Sequence, residues 1–143
     1  WRQRQLEYSW IYAAIANDGG QAAPDFGTPT KQSLAYALEA TSLTQSLAPE
    51  LLKSYRRLNV FPDVVASLAT LNSSGARLAI LSNADPDLLD ELVGHAGLAT
   101  LFEHLLSVRV TGTYKPAPVI YRLATDAFQC APGDITFVSS NRC

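Results

Sequence analysis

Apolar and polar positions alternate with a helical period through the first part of the chain. From Arg2 to Ile15, the residues Leu6, Trp10, Ile11, Ala14 and Ile15 fall at helical spacing. The pattern breaks at Asn17-Asp18-Gly19-Gly20, and Pro24-Asp25-Phe26-Gly27 continues the loop. Thr28 followed by Pro29 has the form of an N-cap and first-turn pair. A helix from there to about Ala40 would bury Leu34, Ala35 and Leu38, and Pro49 to Leu58 predicts a third helix. The pattern then changes. Asp63 to Leu71 carries a helical face of Val64, Val65, Leu68 and Leu71, closed by Gly75. Arg77 to Ser82 is a short, continuous apolar strand, and Asp85-Pro86 opens a helix with Leu88, Leu89, Leu92 and Val93 on its apolar side. Leu105–Val108 predicts a second strand, Pro116 to Phe128 a helix, and Ile135–Val138 a third strand running into Ser139-Ser140-Asn141.

Strands that alternate with helices at this spacing predict an α/β fold with a parallel sheet, and uniformly apolar strands predict a sheet covered on both faces. The expected organisation is a helical piece over 1–62 and an α/β piece over 63–143. Composition adds exclusions. The chain has 143 residues, 48% of them hydrophobic and 17% charged, with a net charge of −2. Nothing in that balance favours nucleic acid or an anionic membrane surface. No apolar run approaches the ~18 residues of a membrane span. Two cysteines, Cys130 and Cys143, are too few for a disulfide framework and predict free thiols in a reducing cytoplasm.

Ligands of open α/β sheets bind beyond the carboxyl ends of the strands. Two predicted strands end there in small polar residues, at Ser82-Asn83 and at Ser139-Ser140-Asn141, and Tyr114-Lys115-Pro116 follows the middle strand. Each placement alone is ordinary: Ser-Asn after a strand is commonly a helix cap, and a lysine before proline is commonly a solvated loop residue. The three in this order, on this frame, point to a site.

These segments carry a resemblance. Leu78-Ala79-Ile80-Leu81-Ser82-Asn83, Tyr114-Lys115-Pro116 and Phe137-Val138-Ser139-Ser140-Asn141 resemble the second, third and fourth motifs of the haloacid dehalogenase superfamily. Trp1-Arg2-Gln3-Arg4-Gln5-Leu6-Glu7-Tyr8 is similar to the first cap helix of the L-2-haloacid dehalogenases, and His95-Ala96-Gly97-Leu98 and His104–Val108 also match them. The likeness runs from Trp1 to Cys143, with a small insertion around Asn17–Pro24. It implies a Rossmann-like core with a helical cap subdomain. It also implies that the first core strand, whose terminal aspartate attacks C2 of the haloacid and expels halide, lies upstream of Trp1. The chain alone is therefore expected to be inactive.

The fourth motif separates two chemistries. Phosphatases of the superfamily hold Mg²⁺ there with a carboxylate, the oxygen ligand that a hard ion prefers. Ser139 and Ser140 stand in its place, so the resemblance favours dehalogenation with neither metal nor cofactor over a Mg²⁺-dependent phosphatase. A degenerate, non-catalytic remnant of the fold is the alternative from another class.

The resemblance implies a role for each site residue. Arg2 would meet the departing halide, where negative charge develops, and Asn83 would help hold it. Ser82 would bind the substrate carboxylate. Lys115 would keep the nucleophilic carboxylate ionised, with Tyr121 supporting that pocket. Ser139 and Asn141 would position the nucleophile and the hydrolytic water. Gln3, Leu6 and Phe26 would line the pocket and exclude bulk water. The family usually continues after the asparagine with a small residue, then Trp-Asp; Arg142 and Cys143 depart from this, and the aspartate would fall at 144. The implied partner is a small haloacid, with homodimers common in the family.

Overall fold

The computed structural model describes residues 1–139. The helical part holds three α-helices: α1 (Arg2–Asn17), α2 (Gly27–Ala40) and α3 (Ala48–Tyr55). The remainder runs α4 (Val64–Ser73), β1 (Ala79–Ser82), α5 (Pro86–His95), β2 (His104–Ser107) and α6 (Pro118–Phe128), with short 3-10 turns between. β1 and β2 are parallel, in a register that pairs Ala79 with His104 and Ser82 with Ser107. The fold is therefore mixed α/β with a parallel sheet, as the pattern predicts. No helix among the described residues is long and apolar enough to cross a membrane.

Two departures from the expected pattern are instructive. The apolar stripe of α1 faces outward: Trp10, Ile11 and Ile15 are exposed, while the buried residues of the helix are Gln5, Ser9 and Ala13. α1 packs on α2 through this polar and small-residue face, where the Gln5 side-chain amide donates to Thr30 Oγ1 at 2.6 Å. The second correction concerns Ile135–Val138, which joins no ladder; among the described residues the sheet has two strands, not three. Ile135 is extended (φ −107°, ψ 124°), but a strand exists only where its N–H and C=O groups pair with a neighbour. Here Val138 is exposed, and Phe137 instead packs edge-on against Tyr121 of α6, ring centroids 5.5 Å apart.

Smaller differences have local causes. α2 begins at Gly27 rather than after a Thr28 cap, because Asp25 Oδ1 accepts from the Thr28 N–H at 2.8 Å and so completes the turn two residues earlier. Leu34 and Leu38 are buried as expected, whereas Ala35 is exposed. On α4 only Val64 and Leu68 pack inward, against the α5 cluster; Val65 and Leu71 are exposed.

Among the described residues the apolar interior has two clusters. One is centred on α5: Ala84, Leu88, Leu89, Val93 and Leu98, flanked by Ile80, Leu105, residues of α4 and, from the helical part, Tyr55 of α3. The other joins the two parts of the chain, combining Ala13, Ala23 and Phe26 with Val108, Tyr114, Ala117 and Ile120. The second cluster positions the site.

Candidate active site

Three segments converge at the carboxyl end of β1. The loop after β1 contributes Ser82, Asn83, Ala84 and Asp85. Ser82 Oγ accepts from the Ala84 N–H at 3.1 Å, and Ser107, at the end of β2, donates its hydroxyl to the Ala84 carbonyl at 2.7 Å. Both strand ends thus fix the same turn. The segment leading into α6 brings Lys115: its backbone N–H donates to Asn83 Oδ1 at 3.1 Å, and its ammonium donates to the Leu81 carbonyl at 2.7 Å. The Lys115–Pro116 peptide bond is cis. Burial lowers the Lys115 ammonium from its usual range, since leaving water disfavours the charged form. Its Nζ lies 6.0 Å from the centre of the Phe137 ring, which also meets Tyr121. Lys115, Tyr121 and Phe137 therefore form one neighbourhood.

The third segment is the loop before α2. Phe26 is buried, with its ring edge-on to Tyr114 at 5.4 Å. Tyr114 donates its hydroxyl to the Pro24 carbonyl at 2.5 Å. Burial first, and then the charges of Asp85 and Asp25, push this phenol far above its usual range, so it stays a neutral donor. The same loop is held by Ala23 N–H to the Gly112 carbonyl at 2.7 Å and by the Arg109 guanidinium to the Ala23 carbonyl at 3.2 Å.

The structure therefore brings together Ser82, Asn83, Lys115 and Tyr121, with Phe26 attached through Tyr114. Arg2 and Gln3 lie exposed on the first turn of α1, and Leu6 is half-buried. Residues of α2 and α3 help anchor this end of α1: Trp1 donates its indole N–H to the Thr30 carbonyl at 3.2 Å and its ring lies 5.2 Å from that of Tyr55. Ser139 is exposed at the end of the extended segment; Asn141 lies outside the described residues. Sequence reasoning missed Phe137, whose ring links Lys115 to Tyr121, and the side-chain role of Asp85. An aromatic two residues before the serine run was the available signal for the first. The second had none, because Asp-Pro reads as an ordinary helix start.

Comparison with known proteins decides the family. The haloacid dehalogenase-like hydrolases match residues 7–142. The chain belongs to that family. This dehalogenase-like chain is 39% identical to an (S)-2-haloacid dehalogenase of Xanthobacter autotrophicus, over 99% of the chain and 54% of that enzyme. A solved L-2-haloacid dehalogenase superposes with a TM-score of 0.90 at 38% identity, over 99% of the chain and 63% of its own length. A solved Xanthobacter autotrophicus L-2-haloacid dehalogenase with chloropropionic acid covalently bound gives 0.79 at 37% identity, over 92% of this chain and 52% of that one. The dehalogenase-like chain thus spans about half to two-thirds of the length of these relatives.

Proposed function

We propose that the full-length protein hydrolyses short L-2-haloalkanoic acids to 2-hydroxy acids of inverted configuration. In this reading a carboxylate nucleophile of the family type attacks C2, the carbon–halogen bond breaks, and halide leaves with its electron pair. Water then cleaves the ester, regenerating the carboxylate and releasing the hydroxy acid and a proton. The roles are those that the family resemblance implies. Lys115 orients and holds the nucleophile ionised; its lowered proton affinity reflects a buried ammonium, which an adjacent carboxylate would stabilise. Ser82 receives the substrate carboxylate, its hydroxyl proton remaining available because Oγ only accepts from Ala84. Asn83 holds halide through its side-chain NH2, since Oδ1 is already bound to Lys115. Arg2 meets the leaving halide, Tyr121 supports the Lys115 pocket, and Ser139 and Asn141 position nucleophile and water. Gln3, Leu6 and Phe26 line the pocket on the side of the helical part, acting as a cap. No metal ion is required by this chemistry.

The observation that carries the reading is the bond from Lys115 N–H to Asn83 Oδ1. It joins the two loops that resemble the second and third family motifs at one strand end. The exposed stripe of Trp10, Ile11 and Ile15 supports a homodimer, and the free Cys130 thiol supports a cytoplasmic setting. The test is halide release from L-2-chloropropionate by the full-length protein. Stoichiometric chloride and D-lactate are expected; a folded protein that releases no chloride between pH 7 and pH 10 would falsify the reading.

A further inference from the structure

We propose that Asp85 is a positioning residue for the reaction proposed above, setting Phe26 against the loop that carries Ser82 and Asn83. The inference rests on that functional reading for its consequence but on the observed contacts for its geometry.

Asp85 occupies the N-cap position of α5, with Pro86 behind it and an extended backbone (φ −62°, ψ 152°). A residue of this type at this place ordinarily turns its side chain onto its own helix. It does not do so here: the α5 N-terminus has no side-chain cap bond. The carboxylate reaches instead to the start of α2, where Oδ1 accepts from the Phe26 N–H at 3.2 Å and Oδ2 from the Gly27 N–H at 3.1 Å. The helix that receives it lacks a cap bond from its own Phe26 and has no acidic residue in its first turn. A negative charge is favourable at that end of a helix dipole, and bonds between ionised acceptors and amides are the stronger kind.

The far side of Asp85 is equally fixed. Ser82, Asn83 and Asp85 follow each other in one turn, and each commits its side chain to a different segment: Ser82 to the turn itself, Asn83 to Lys115, Asp85 to α2. The two oxygens of Asp85 therefore convert the position of the β1 loop into the position of Phe26. Tyr114 presses on the same ring from the Lys115 segment. Removing the carboxylate leaves Phe26 with its ring contact and the bonds from Thr30 to its carbonyl, but takes the acceptor from its N–H and from that of Gly27, so the wall of the proposed pocket loosens while the polar groups stay in place. Substrate binding should suffer more than the chemical step.

Asp85→Ala and Asp85→Asn in the full-length protein test this. Amide exchange at Phe26 and Gly27 is expected to quicken about tenfold or more in Asp85→Ala, while Leu88 and Leu89 of α5 keep their rates. Asp85→Asn, with one acceptor oxygen and one NH2, should keep protection at one of the two amides. KM for L-2-chloropropionate is expected to rise roughly three- to tenfold in Asp85→Ala with kcat changed less than about twofold, and to return part-way in Asp85→Asn. Unchanged exchange at Phe26 and Gly27, or exchange quickened in α5 instead, overturns the assignment. So does a fall in kcat with KM unmoved. A wild-type protein that releases no halide refutes the proposed reaction, while the exchange measurement still decides whether Asp85 holds α2. If Asp85→Ala does not fold, Asp85→Asn carries the same comparison.

Discussion

Where α1 meets α2, the buried side chains include Gln5, Ser9, Thr30 and Ser33 beside Leu34 and Leu38; where α5 covers the sheet, they are Leu88, Leu89, Val93 and Leu98. The second interface follows the hydrophobic rule. Apolar area leaves water, the attraction has no direction, and many packings are nearly equivalent. The first works by fit. Ser9 and Ser33 are fully buried and small enough to let the helices approach closely, and the Gln5–Thr30 bond requires one register. A helix pair built this way is specified by shape and hydrogen bonding rather than by the amount of apolar surface. Under the proposed function, such specification suits a part that would present Arg2, Gln3 and Leu6 in fixed places.

The largest effect is expected on the aliphatic side. Leu89→Ala should destabilise the protein by about 2–4 kcal/mol, because its site is buried and closely surrounded; denaturant unfolding checks this, and a loss below about 1 kcal/mol would deny that cluster its role. Ser33→Leu attacks the other interface by overfilling it. A cost of about 1–3 kcal/mol is expected, although the new residue is more hydrophobic. Stabilisation by this change would mean that the α1–α2 contact is governed by area after all.

The smallest effect is a change of slope at Lys115, at the carboxyl end of β1. Burial places its folded-state pKa below the ordinary 10.5. Between those two values the unfolded chain binds more protons than the folded one, so stability rises with pH across that window. Lys115→Met removes the proton and the slope together. In the 143-residue chain the melting temperature of the wild type should therefore gain on the variant as pH climbs towards 10.5, and parallel melting profiles would contradict a buried ammonium; a carboxylate beside Lys115 in the full-length protein would favour the charged form and flatten or reverse the slope.

How much of this was legible beforehand follows the same division. β1 was readable because a short apolar run lies between Gly75 and Ser82-Asn83, and β2 from its own short apolar run; the expectation of a sheet covered on both faces is not met, since every residue of both strands is only half-buried. α5 was readable because Leu88, Leu89 and Val93 share one face. The buried side of α1 was not, since periodicity weighs hydrophobicity and this helix buries its polar, small side. Ile135–Val138 has the composition of a strand, but composition does not supply the neighbour that a ladder requires. At the site, Ser82, Asn83 and Lys115 were found through motif order, and the structure joins them. The link through Asp85 was hidden because its partner lies 58 residues earlier and no local rule reaches that far.

The two tryptophans sit at opposite ends of the contrast drawn for α1. Trp1 is half-buried, bonded to the Thr30 carbonyl and tilted against Tyr55, whereas Trp10 is 47% exposed on the outer stripe. Their fluorescence is therefore naturally divided into two channels. Emission from Trp1 reports whether α1, α2 and α3 remain docked. Emission from Trp10, open to a neutral quencher such as acrylamide, reports whether the outer face is covered. With no label attached, the protein carries separate optical readouts of its internal assembly and of its encounter with another surface.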